Sequence, residues 1–265
     1  MASVRPGTVC VVMANSYLVG SPNVGRDRRR HMRRTPHDVW LPFPEGESVR
    51  KVITIAAIAA QLVFVGGWLV LGLLEDHGYH PGRHDISDLA ALTAHHATVD
   101  RLTLFVAGAL TIAFALSLRH IFGWAAWLFA LSLPGYDTLA DAFFRLDCRA
   151  ADTGCDIAAA TGSWHGKMHV VDFVISALAT LVVSFVLSRR MRRTEGWTDL
   201  ARPTTVFGVL TVAVLAVTAA TAGTAIQGCT QRGAAVLVDA GIVMLAWRVL
   251  RLETRRRVAT FAAAR

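Results

Sequence analysis

Three side chains on one apolar segment, His165, His169 and Asp172, stand at positions i, i+4 and i+7 and share one face of a helix. Two acids four residues apart, Asp137 and Asp141, lie in an earlier apolar segment, and Asp239 lies in a later one. An isolated charge at mid-bilayer costs about 2.5–3.5 kcal/mol on insertion scales, so these acids are expected to meet one another or a ligand rather than lipid. One chemistry that fits is a metal centre. Two histidines a turn apart plus a carboxylate from another helix can hold zinc with an open water position. The ligands would be His165, His169 and Asp137 or Asp239, with Asp172 as general base or in support of the ligands. The other fit is structural, with Asp–His and Asp–Arg pairs tying helices together and Arg145 one turn beyond Asp141 as its partner. An HxxxH spacing recurs in helices by chance, which weighs toward the structural pairing.

Long apolar runs must carry these residues. Of 265 residues, 54% are hydrophobic and 17% charged, a composition far from that of an ordinary soluble domain. A crossing of the hydrocarbon core needs about 20 apolar residues. Six stretches qualify: 52–74, 102–118, 121–144, 170–187, 206–226 and 234–252. The fold class expected is an all-α membrane protein with six transmembrane helices in a domain over residues 50–252. Pro134 inside the third stretch removes one helical hydrogen bond and should kink it. The small residues Ala219, Ala220, Ala222 and Gly223 mark the fifth as a closely packed helix.

Lys and Arg fall unevenly across the alternate loops, 21 on one side and six on the other. Positive charge stays on the cytoplasmic side, so both termini are expected in the cytoplasm. Residues 1–49 form a disordered basic tail without a core-building period, and residues 253–265 a second basic tail. The net charge of +8 then reflects orientation and attraction to anionic lipid, not nucleic-acid binding. The chain is expected as a multi-pass protein of the plasma membrane, with membrane lipids as its partners.

Two loops face outward on this reading. Between Glu75 and Asp100 the first holds five acids, five histidines and a single arginine. His77, His80 and His84 read as solvated, whereas His95 and His96 stand nearer the second span and could hold a metal or sense pH. The second carries Cys148 and Cys155, where oxidation is permitted. That pairing is preferred, with a bridge to Cys229 as the alternative; Cys10 lies on the reducing side.

Three short motifs resemble a known family. His80-Pro81 followed by Asp85-Ile86-Ser87-Asp88-Leu89, the segment from Phe144 to Asp147, and Gly166-Lys167-Met168-His169 are similar to the six-helix bacterial membrane family catalogued as domain of unknown function 998. The resemblance covers about residues 52–250. That family commonly carries Phe-Pro ahead of the loop aspartate, and Arg145 takes the Pro position here. The family is in turn distantly similar to the DRAM-like six-helix proteins, which are linked to lysosomal and plasma-membrane lipid biology. The resemblance implies a fold and a bacterial membrane location, but no reaction. The functional expectation is therefore an integral membrane protein with a polar His/Asp pocket at its outer face that meets lipid or a partner. A zinc-dependent membrane hydrolase acting at the outer leaflet is the first alternative, and a proton-coupled transporter the second.

Overall fold

The computed structural model describes residues 44–75 and 78–263. Residues 1–43 of the expected tail, Cys10 within them, and His77 lie outside the described residues. All described regular structure is helical. The helices are α1 (Pro44–Leu74), α2 (Ala97–Ser117), α3 (Arg119–Phe122), α4 (Trp124–Ala130), α5 (Thr138–Ala140), α6 (Ile157–Ala160), α7 (Trp164–Met191), α8 (Ala201–Ala220) and α9 (Gln227–Ala263).

Among the described residues, five helical segments are long and apolar enough to cross a membrane: Val49–Leu74, Ala97–Ser117, Trp164–Met191, Thr198–Ala220 and Gln227–Arg255. The chain is a multi-pass membrane protein. α9 continues to Ala263, so much of the expected C-terminal tail is helical. The expected third crossing is in pieces. α3 gives way to α4 at Gly123, whose φ is 61°, and α4 ends at Ala130. Ser132 is extended, and a wide π-helical turn over Leu133–Asp137 leads into α5. Proline explains the break. Pro134 has no N–H, and in a continuing helix its ring would strike the carbonyl of residue i−4, which is Ala130. Gly135 fits only because it lacks a side chain, since a Cβ there would lie 2.4 Å from the Ala130 oxygen.

Backbone groups released inside hydrocarbon need new partners. Side chains supply them. The Leu133 N–H donates to Thr180 Oγ1 on α7 at 2.8 Å, and Thr138 Oγ1 donates to the Leu133 carbonyl at 3.0 Å. Ser132 Oγ donates to the Phe129 carbonyl at 2.6 Å. On its other side the broken segment lies against α2 so closely that a Cβ on Gly108 would fall 2.4 Å from the Leu139 nitrogen. The break is thus clamped from two helices.

Packing closes a ring. α1 packs on α2 and α9, the broken segment on α2 and α7, and α8 between α7 and α9. One apolar core fills the arginine-rich end, where Phe114, Phe122, Met191, Trp197 and Ile242 are almost wholly buried. The opposite end is capped by the loops and bears the Cys148–Cys155 disulfide, with Cα atoms 6.1 Å apart. Between the two ends the helices leave a cavity.

The loop cap is held by two buried arginines. Arg149 pairs with Glu75, whose side chain is 0% exposed, and with Asp152 at 2.7 Å. Arg232 of α9 donates to the carbonyls of Pro81 and His84 and to the Tyr79 hydroxyl, and it stacks over Trp68. Burial pushes the Tyr79 phenol up to about 12, with Arg232 acting in the opposite direction. His84 is buried rather than solvated. Its Nδ1 accepts the His80 N–H at 2.8 Å, and burial first, then Arg83, lowers its pKa to about 4. Burial raises Asp88 to about 6 although it accepts the Ala150 N–H at 3.1 Å.

Candidate functional site

Three elements and one loop bring chemistry-bearing side chains to the cavity. α7 contributes His169, the broken segment Asp137 and Asp141, α9 Asp239, and the first loop Asp85. The break at Pro134 matters here, because the wide turn that follows it sets where Asp137 and Asp141 begin. His169 Nδ1 lies 2.7 Å from Asp141 Oδ1. Beyond that contact neither atom has a hydrogen-bond partner among the described residues. Asp172 is 0% exposed; its Oδ1 accepts the Phe173 N–H at 2.8 Å, while its Oδ2 has no partner. One donor atom each from Asp141, His169 and Asp172 falls within 4.8 Å of the other two.

The residues singled out from the sequence therefore sort unevenly. His169, Asp137 and Asp239 line one cavity, and Asp172 stands behind His169. His165 does not join them. It is exposed, and its Nδ1 lies 3.1 Å from the Phe143 carbonyl. His95 and His96 stay with each other, ring centroids 5.0 Å apart, and away from the cavity lining. Asp141, for which the sequence offers Arg145, turns to His169 instead.

Sequence reasoning gave no site role to Asp85, Gln227 and Gln231. Gln227, Gln231 and Asp239 all line the cavity from α9. Their spacings of four and eight put them on one face, a signal that was readable once that face was known to be open. Asp85 receives the Gln227 amide at 2.6 Å, and Gln231 accepts the Ile86 N–H at 2.6 Å. Burial pushes the Asp85 carboxyl up, opposed by the Gln227 hydrogen bond.

The cavity measures about 680 Å³, well inside the range of small-molecule sites. Its walls are two-faced. Acids, glutamines and His169 come from the broken segment, α9 and the start of α7, whereas Phe173, Leu181, Val212 and Leu215 form an apolar side. From His169 to Leu181 the α7 wall runs twelve residues, about 18 Å at 1.5 Å per residue. The small residues at the end of α8 and just beyond it have a different role from the close packing expected of them, since Ala219 and Ala222 line the cavity, beside Ala216.

Metal binding would require the ion pair to open. Two ligands on tetrahedral zinc at about 2.1 Å stand roughly 3.4 Å apart, whereas Asp141 and His169 touch at 2.7 Å. A direct ion pair has this separation. Residues 58–248 match the family described as "Protein of unknown function (DUF998)". No curated protein and no solved structure matches the chain.

Proposed function

The chain belongs to the DUF998 family, and from that premise we propose that it is an integral membrane protein that binds one amphipathic lipid-like molecule in its intramembrane cavity. The observation that carries this reading is the two-faced lining. Leu181, Val212 and Leu215 offer an apolar wall long enough for an acyl chain, while Asp137, Asp141, His169 and Asp239 meet a polar group. A proton relay would need titratable side chains through to the arginine-rich end, where the core is instead built of residues such as Phe114, Phe122, Met191 and Ile242. The broken segment acts as the third of six crossings, with both termini cytoplasmic, as the 21-to-six distribution of Lys and Arg favours. The cavity mouth and the disulfide then face outward, in the plasma membrane of a bacterium.

The test is the content of the cavity. Protein purified in mild detergent should carry a tightly held amphiphile detectable by native mass spectrometry. Ala216→Trp, which fills the wall beside it, should release that molecule while the protein stays folded. An empty wild-type protein, or identical occupancy in the variant, would refute the reading. Accessibility labelling of single cysteines should reach the 80–96 loop from outside and residues 192–197 only after permeabilisation.

One observation favours a second reading, a metal-dependent hydrolase: the shared position of Asp141, His169 and Asp172. In this form His165 is replaced as a ligand by Asp141, and Asp137 is the carboxylate left over to act as base. Stoichiometric zinc in the wild-type protein that is lost in His169→Ala would support it, and metal-free protein with an intact fold would sink it.

A further inference from the structure

The polar part of the cavity is one-sided in chemistry, rich in acids and without a basic side chain other than His169 among the described residues. Four carboxylates line it, from Asp85, Asp137, Asp141 and Asp239, and no lysine or arginine does so among the described residues. The imidazole of His169 is already committed to Asp141. Asp85 also has a partner, in Gln227. Asp239 stands apart from these. It is 5% exposed, and its Oδ2 has no hydrogen-bond partner among the described residues. Asp137 Oδ1 is likewise without a partner, and its neighbours are Asp141, Asp172 and His169. A buried carboxylate without a partner is costly inside a membrane and marks a ligand or ion pathway. An anionic head group here would oppose the ionisation of these acids, whereas a cation would favour it and gain a counter-ion.

The geometry points to a long-chain organic ammonium as the ligand, its cationic head against Asp239 and Asp137 and its chain along Leu181, Val212 and Leu215. This inference rests on the amphiphile-binding reading above and adds the head-group chemistry. The site overlaps the hydrolase reading only at Asp137, because Asp239 is not one of the residues grouped with His169. The apolar wall is what separates a lipid-like amine from a simple ammonium ion, since each buried CH₂ adds favourable transfer energy.

The experiment is equilibrium binding to the full chain in lipid nanodiscs with four radiolabelled probes: tetradecylamine, tetradecanol, myristate and methylammonium. Wild-type protein should bind tetradecylamine about tenfold or more tighter than tetradecanol or myristate, as expected for a charge-assisted contact. It should bind methylammonium far more weakly than the long-chain amine. Asp239→Asn should erase the preference for amine over alcohol while leaving tetradecanol binding in place. Should that variant fail to fold, Asp137→Asn is expected to weaken the same preference. Equal affinity for the amine, alcohol and acid would overturn the head-group assignment and leave the cavity reading standing. Methylammonium as tight as tetradecylamine would make this a plain cation site and also overturn it. Binding of none of the four would defeat the amphiphile reading itself. A wild-type preference for amine that survives both substitutions would refute the role given to these two acids.

Discussion

Replacing Arg149 by methionine tests how the loop cap is held. Arg149 and Glu75 form a contact whose side chains are 7% and 0% exposed. Glu75 Oε1 also accepts the His95 N–H at 2.9 Å, while Oε2 has no partner. Arg149→Met therefore leaves a carboxylate buried with one backbone donor. At about 3 Å and an effective dielectric near 20 the pair attracts by roughly 5 kcal/mol before desolvation is counted, and removing one partner of such pairs costs about 3–5 kcal/mol. Asp152 sits on the other side of the same guanidinium but is 21% exposed, so Asp152→Asn should cost about 1 kcal/mol or less. The double variant Glu75→Gln, Arg149→Met should be more stable than Arg149→Met alone, because a neutral amide no longer needs the guanidinium. Thermal unfolding in detergent, followed by tryptophan fluorescence without reductant, gives the order. At about 2–4 °C per kcal/mol for a chain of this size, Arg149→Met should melt roughly 10 °C below wild type. Losses for Arg149→Met and Asp152→Asn that match, or a double variant as poor as the sum of its parts, would refute the reasoning.

Gly108→Ala should destabilise by about 2–3 kcal/mol and separate α2 from the broken segment, since its Cβ would meet the Leu139 backbone at 2.4 Å; an unchanged melting temperature would contradict that packing. His84 is held neutral with its pKa near 4, below its ordinary 6.5, so the unfolded chain binds the extra proton between those values. Its stability contribution is complete above pH 6.5 and is lost as pH falls toward 4, by at most about 3 kcal/mol. Asp88, raised to about 6, acts in the opposite sense over much of that window, so the quantity to measure is the difference between wild type and His84→Asn from pH 7 to 4.5. That difference should narrow as pH falls. Removing the Cys148–Cys155 bridge in a Cys148→Ser, Cys155→Ser variant opens a short loop and should lower stability, measured without reductant, by about 2–3 kcal/mol; an unchanged melting temperature would contradict that.

Much of the architecture is local and so was legible in the sequence. Hydropathy alone marks the five long helices, because a run of some 20 apolar residues has few other stable fates. Pro134 announces trouble in the third segment for a reason contained in its own ring. The preferred cysteine pair needs only two thiols in one short loop, and the structure joins them. The expense of acids in apolar sequence likewise singled out Asp137, Asp141, Asp172 and Asp239 before any contact was known.

Partner choice was decided elsewhere. Helical spacing says that His165, His169 and Asp172 share a face, but not how far that face stays inside the bundle, and His165 lies beyond its edge. Arg145 is the neighbour of Asp141 along the chain, yet the wide turn after Pro134 rotates the segment so that Asp141 meets His169. His84 looks like a solvated loop residue until Arg232, 148 positions later, draws its carbonyl down onto α9. Small residues on α8 have the same composition whether a helix packs against them or a cavity opens beside them. Periodicity along one chain segment specifies which side chains travel together. Only the approach of other segments, distant in sequence, determines what they find when they arrive.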